Sequence, residues 1–450
     1  MHHTSPSGKA FNSSLLIVLS FAAIIAAGTL LLMLPVSSAN AQPLPFLDSL
    51  FTAASAVCVT GLSVINVSET LSRFGQIVLM CLIQMGGLGL MVFSTLIFVF
   101  VGRRITLKDR LLIRESLNTE QLRDLPRLVK WVFTLTLCVE MAGAALLAVR
   151  MIPMFGWHEG LFMSIFHSIS AFCNAGFDLL GSSSLIPYQN DPLILFPIML
   201  LIITGGLGFA LISDVLENRR FSRMAVHTRL VLIMTAILIG SGTLFILVLE
   251  WNNPATLGGM DSIWQRILNA LFQSVTLRTA GFAAVDQSVL LPQTKLLCAG
   301  YMFIGAAPAS TGGGVKLTTF AALLILVGSI VRGREHATLF RHTLPRRMLE
   351  RAACVFLIAL ALVMLDTFVL LIAEPAQQFT DVMYEAVSAF ATVGLSCNMT
   401  PSLSTLGRLV IIITMFIGRV GPLSLALAIM HSQAAGTNRL KYPDADILIG

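Results

Sequence analysis

The chain has 450 residues, 56% of them hydrophobic and 12% charged, with a mean hydropathy of +0.85. Soluble domains run at about 45–50% apolar and about 25% charged, so this composition excludes a water-soluble protein. The net charge of +6 does not indicate a nucleic-acid binder, because the basic residues sit in short clusters between apolar runs, a pattern that sets membrane topology. The seven cysteines are odd in number and lie mostly inside apolar segments, which implies buried packing rather than a disulfide framework.

A helix crossing the bilayer core needs about 20 apolar residues. Eight stretches meet that need in chain order: Phe11 to Leu34, Phe74 to Gly102, Trp131 to Val149, Pro192 to Ser213, Leu230 to Leu249, Leu296 to Val331, Ala352 to Ala373 and Leu409 to Met430. The first follows Lys9 and precedes Ala39-Asn40-Ala41, which resembles a cleavage site. Its length exceeds a signal core and it has counterparts along the chain, so it is expected to be retained. Of the lysines and arginines outside the spans, 21 fall on one side and 6 on the other. The basic side is predicted to be cytoplasmic, which places both termini inside. Glu140, Lys316, Asp366 and Arg419 lie at membrane depth.

Between each odd span and the next even one lies a segment too short to cross: Pro43 to Val57, His158 to Phe172, Asp261 to Val275 and Phe379 to Phe390. These predict re-entrant half-helices. Each runs into a glycine, Gly61, Gly176, Gly281 and Gly394, spaced 115, 105 and 113 residues apart. A second landmark follows after 25, 29, 24 and 24 residues: Gly86-Gly87-Leu88-Gly89, Gly205-Gly206-Leu207-Gly208, Gly305-Ala306-Ala307-Pro308 and Gly418-Arg419-Val420-Gly421. The expected fold is therefore an all-α polytopic membrane protein, with four span/half-helix/loop/span repeats arranged pseudo-fourfold around one pore. The units are 1–102, 131–218, 230–331 and 352–431, separated by cytoplasmic loops 103–130, 219–229 and 332–351 and followed by a cytoplasmic tail 432–450.

A half-helix ending inside a membrane leaves its last carbonyls unpaired, and these carry partial negative charge. Four such ends favour a cation at their focus. Glycine permits positive φ, so successive carbonyls can point one way. The predicted ion-binding positions are Val59, Thr60 and Gly61; Asn174, Ala175 and Gly176; Thr279, Ala280 and Gly281; and Thr392, Val393 and Gly394. None offers a carboxylate, which suits a large, weakly hydrated monovalent ion better than calcium or magnesium. The alternative is that the glycines serve packing in tight turns of a transporter scaffold.

These four units, the Ser310-Thr311-Gly312-Gly313-Gly314-Val315-Lys316 stretch and the Gly418-Arg419-Val420-Gly421 segment resemble the Trk/Ktr/HKT superfamily of potassium transporters. With eight spans and no extra N-terminal pair, the chain is most similar to the Ktr-type membrane subunit. The resemblance implies potassium uptake, often sodium-stimulated. It also implies a homodimer in the cell (inner) membrane with one pore per subunit, and a cytoplasmic nucleotide-binding regulatory ring of KtrA type. The chain itself would bind no nucleotide; K+ would be its transported ion, with Na+ a further candidate, and membrane lipids its surroundings.

The sixth span is too long for one crossing and contains Pro308 and three glycines, which break helices. Gly305 to Lys316, including Ser310, Thr311, Gly312, Gly313 and Gly314, is expected to form an intramembrane loop that blocks the pore and moves under regulation; a rigid kink is the alternative. The family's gating loop falls on the same stretch. Arg419 stands where repeats one and two have Gly87 and Gly206. The resemblance implies a pore-facing gate role for it, against a salt bridge to Asp366 or Glu140. Lys316 acts with the loop or snorkels. Arg278 is expected to point away from the axis and pair with Asp381 or Glu385. Cys58 and Cys173 are expected to be packing residues rather than a metal or redox site, and Glu140 and Asp366 to brace helices rather than relay protons. The chain lacks a phosphate-binding loop or a soluble segment large enough for a nucleotide domain, so it is not expected to be an enzyme or ATP-driven pump. A sodium-coupled secondary transporter of another cation or small solute is the remaining alternative.

Overall fold

The computed structural model describes residues 13–89 and 125–421. The expectations for 90–102, for most of the first cytoplasmic loop, for the end of the eighth span and for the tail lie outside the described residues.

Fourteen α-helices of nine or more residues carry the described chain. The first repeat contains α1 (Ser13–Leu32), the half-helix α2 (Phe46–Val57) and α3 (Arg73–Leu88). The second contains α4 (Leu125–Phe155), the half-helix α5 (Trp157–Phe172), α6 (Pro192–Leu207) and α7 (Phe209–Glu217). In the third come α8 (Val226–Glu250), the half-helix α9 (Ile263–Thr276), α10 (Pro292–Phe303) and α11 (Leu317–Val331). The fourth has α12 (Arg346–Ala373), the half-helix α13 (Phe379–Phe390) and α14 (Thr405–Val420). A two-residue hairpin, β1 (Thr338–Leu339) and β2 (His342–Thr343), joins α11 to α12. By length and hydropathy α4, α8 and α12 can cross a membrane, and the bent pair α6/α7 makes a fourth candidate.

The even span of the second predicted repeat differs from the sequence reading. Within the described residues, α3, α6 and α14 are 16-residue helices that end at Gly89, Gly208 and Gly421, with φ of 79°, 90° and 95°. At Gly208 the chain turns by 95° into α7, so Pro192 to Ser213 is broken rather than straight. A left-handed residue ends a helix, and only glycine adopts it without cost.

Each even span contacts the half-helix of the next repeat: α3 with α5, α6 with α9, α10 with α13, and α14 with α2, which closes the cycle. Charge pairs mark three of these four seams. Arg73 pairs with Glu159, Lys295 with Asp381 at 2.7 Å, and Arg408 with Asp48 at 2.5 Å. Asp48, Glu159 and Asp381 are each the third residue of a half-helix, where the helix dipole favours a carboxylate. The half-helices are the most enclosed elements; Phe51, Phe172, Phe272 and Phe390 are essentially buried.

Close approach explains the second landmark. A Cβ on Gly86, Gly205 or Gly418 would collide with the carbonyl oxygen of Val57, Phe172 or Phe390, the last helical residue of the preceding half-helix. The glycines let span and half-helix touch backbone to backbone. Gly305 of repeat three is different, because its neighbour is the Gly313 carbonyl of its own loop.

Candidate functional site: four glycine loops and the layer beneath them

The four half-helices end at Val57, Phe172, Thr276 and Phe390, and each runs through a right-handed cap, Cys58, Cys173, Leu277 or Ala391. Two residues before each glycine the backbone is left-handed: φ is 50° at Val59, 57° at Asn174, 64° at Thr279 and 52° at Thr392. The glycines follow at 95°, 69°, 80° and 93°. Positive φ at the glycines was legible from sequence; at Val59, Thr279 and Thr392 it was not, because β-branched residues disfavour that region.

Hydrogen bonds behind the loops hold this conformation. The amides of Thr60, Ala175 and Val393 donate to the carbonyls of Ser55, Ser170 and Ser388, each at 2.8 Å, and Ala280 N–H donates to Thr276 O at 3.0 Å. The Ser55 and Ser388 hydroxyls accept from the amides of Gly61 and Gly394 at 3.1 Å. The hydroxyls of Ser170 and Thr276 instead donate to the carbonyls of Phe177 and Phe282. Amides are thus engaged by their own half-helices. These four hydroxyl residues were missed in the sequence reading, although three of them stand six residues before an aligned glycine.

The loops meet around a closed ring. A Cβ built on Gly61 would lie 2.5 Å from the Ala175 carbonyl oxygen, on Gly176 2.7 Å from that of Ala280, and on Gly281 2.5 Å from that of Val393. On Gly394 it would strike the Thr60 oxygen. Each glycine therefore faces the carbonyl one residue before the glycine of the next repeat. No side chain fits there, and the groups at this focus are neutral backbone oxygens, which can replace the hydration shell of a dehydrated monovalent cation. On one side the ring opens into a cavity of about 370 Å³ lined by all four glycines.

On the other side lies the segment between α10 and α11. Ile304 and Val315 form a parallel bridge, and Gly305 N–H donates to Val315 O at 2.9 Å. The turn between them reaches the loops: Gly313 N–H donates to Thr392 Oγ1 at 3.1 Å, and Thr311 Oγ1 donates to Asn174 Oδ1 at 3.2 Å. A Cβ on Gly312 would collide with Thr279 Oγ1 and one on Gly313 with Thr392 Oγ1, so these two glycines allow the turn to press against the underside of loops three and four. The helix break of repeat two holds it from the side, since Ala307 N–H donates to Gly206 O and Thr311 N–H to Gly205 O. Pro308 leaves Ala309 left-handed at φ 55°, Ser310 Oγ donates to Ala307 O at 2.6 Å, and Gly314 has φ 70°.

Arg419 completes this layer. Its guanidinium donates to the carbonyls of Thr311 in the turn and of Gly86 and Gly87 in repeat one. The alternative of a bridge to Asp366 or Glu140 does not hold: Asp366 accepts from Thr414, and Glu140 from Gln84. Lys316 N-caps α11 and donates to Gly312 O at 2.7 Å, tying the turn to itself.

One expected pairing is corrected. Arg278 is buried, but Asp381 is taken by Lys295 and Glu385 by Thr400, and Nη1 of Arg278 has no partner among the described residues. Lys295 comes from the neighbouring span, a partner that spacing along one helix does not reveal. Cys58 and Cys173 are free and buried, and no metal-ligating cluster occurs among the described residues.

Long apolar helices, four half-helices that end in glycine loops and an oxygen-lined focus fit an integral-membrane transport fold. The chain belongs to the TrkH cation transport protein family, whose profile matches residues 3–438. It is 40% identical over 443 residues to Ktr system potassium uptake protein B of Bacillus subtilis, covering 98% of this chain and 97% of that one. Potassium/sodium uptake protein NtpJ of Enterococcus hirae is 37% identical over 438 residues, covering 97% and 96%. The potassium transporter TrkH of Vibrio parahaemolyticus superposes with a TM-score of 0.74 at 18% identity, covering 95% of this chain and 86% of that one, which shows a shared fold.

Proposed function

We propose that this protein is the translocating subunit of a potassium uptake system, with eight membrane spans in four repeats around one pore. Residues Val59–Gly61, Asn174–Gly176, Thr279–Gly281 and Thr392–Gly394 supply the selectivity filter through their carbonyls. The observation that carries this reading is the cyclic contact of each loop glycine with the carbonyl of the next repeat. It leaves room for a bare ion and for no side chain. Neutral oxygens do not compensate the dehydration of a small divalent ion, whereas potassium gives up its water more readily. The naming of relatives as potassium uptake proteins supports the same ion.

Residues Gly305–Lys316 form the gate, held shut by Arg419, which puts a positive charge and three hydrogen bonds directly below the filter. Opening requires release of Thr311 and Gly313 from loops two and four. In this reading a homodimer in the cell membrane, with cytoplasmic termini, docks a nucleotide-binding ring that moves the gate. Sodium stimulation draws support from the potassium/sodium name of the Enterococcus relative.

The test is rubidium-86 or potassium uptake in cells lacking their own uptake systems, with a regulatory subunit co-expressed and sodium present or absent. Wild type should accumulate potassium, Gly281→Ser should lose selectivity or rate, and Arg419→Ala should change flux. Absence of uptake under every condition overturns the reading in favour of a solute transporter.

A further inference from the structure

The fourfold register extends beyond the filter. Two residues after each loop glycine come Ser63, Asp178, Ala283 and Ser396, and all four line the 370 Å³ cavity together with the glycines. They form a second ring, one step outward from the first, in which three positions are neutral and one is a carboxylate. Among the described residues lining that cavity, Asp178 is the one ionisable group.

Its charge is not cancelled locally. The carboxylate is half-buried, so burial raises its pKa, while hydrogen bonds from Leu180 N–H at 3.1 Å and from the Ser184 side chain favour the charged form; it makes no ion pair among the described residues. The nearest ionisable side chain, His167, lies behind the loop, where Nε2 accepts from Leu179 N–H at 3.3 Å and Nδ1 is 2.6 Å from the Met163 carbonyl. A ring that accepts at Nε2 and donates at Nδ1 is the neutral tautomer. A lone negative charge in a cavity with low-dielectric walls focuses its field on the opening.

We propose that Asp178 is the outer cation-attracting site, a carboxylate that concentrates monovalent cations at the mouth and delivers them to the glycine ring. This rests on the filter reading given above. Because Asp178 belongs to an outward ring rather than to the carbonyl ring, it sets how readily the mouth is occupied at low external cation and not how fast a loaded filter conducts.

The experiment measures potassium uptake against external concentration for wild type, Asp178→Asn, Asp178→Glu and Asp178→Asn/Ala283→Asp, with the regulatory subunit present. Asparagine keeps one acceptor oxygen for Leu180 N–H while removing the charge. Asp178→Asn is expected to raise the apparent KM about 3–10-fold at low ionic strength with maximal rate within about twofold. The difference should shrink when an impermeant electrolyte is added, because screening weakens attraction in an open vestibule. Asp178→Glu should stay near wild type, and Ala283→Asp should restore a low KM by returning a carboxylate to the same ring. An unchanged KM in Asp178→Asn overturns the assignment while leaving the filter intact; loss of uptake by wild type overturns the filter reading instead. Should Asp178→Asn fail to transport at all, Ala283→Asp alone decides, since a second carboxylate must lower KM and an unchanged KM contradicts the proposal.

Discussion

The glycine loops and the layer beneath them are built from the same four repeats to opposite effect. In the loops the repeats are alike: the same left-handed step, the same glycine and the same contact with the next carbonyl. Below, they diverge. Repeats one and two carry a double glycine in the last turn of their even spans, repeat three inserts a turn, and repeat four places Arg419 where the others have a small residue. Symmetry suits an ion that must be surrounded, whereas a gate needs one part to move relative to the others. The ring itself keeps the fourfold pattern, and the largest divergence falls in the layer proposed to move.

The most damaging change to the symmetric layer is a Cβ on its ring. Gly394→Ala would drive a methyl into the Thr60 carbonyl at φ 93°, and uptake is expected to fall at least about tenfold, equivalent to about 1.4 kcal/mol or more of lost stabilisation. Rubidium uptake at matched membrane abundance checks this.

Below the ring the sign reverses. Arg419→Ala removes the charge-assisted hydrogen bonds that hold the turn, and a net loss of about 0.7–1.4 kcal/mol of closure should raise regulator-independent uptake about 3–10-fold. Arg419→Lys should restore closure only in part, since a lysine point charge lacks the forked geometry that reaches Thr311 and Gly86 together. Flux in cells without the regulatory subunit separates these outcomes. Deleting Ala309 to Gly314 should have the same direction; unchanged flux would mean that the turn is a rigid brace.

The seams give the smallest effect. Lys295 and Asp381 are largely enclosed, with 6% and 17% side-chain exposure, and Asp381→Asn should lower the midpoint of thermal unfolding in detergent by a few degrees, reflecting about 1 kcal/mol. Ion selectivity should not change, because Asp381 sits in the first turn of its half-helix, at the opposite end from the loop.

Much of this architecture was legible in the sequence because the repeat is spelled in glycines. Half-helix ends at Val57, Phe172 and Phe390 fall where the short segments between the spans stop, and the four loop glycines align in the sequence itself. What could not be read were contacts between repeats. The partners of Arg408 and Lys295 lie 360 and 86 residues away, and Arg278 was assigned a carboxylate that its neighbour uses. The even span of repeat two was read as continuous because hydropathy runs through Gly208, while the backbone there takes a left-handed turn that hydropathy does not register. The left-handed step at Val59, Thr279 and Thr392 runs against the preference of those residue types, and only the hydrogen bonds behind the loops account for it.

The most direct test of the central claim is the ratio of potassium to sodium uptake by Gly281→Ser and wild type in the same membrane. If the loop carbonyls select the ion, wild type should strongly prefer potassium and the serine variant should lose that preference, since a side chain at φ 80° forces the Val393 carbonyl away. An unchanged ratio at unchanged rate would contradict the account, because the ring would then play no part in choosing the ion.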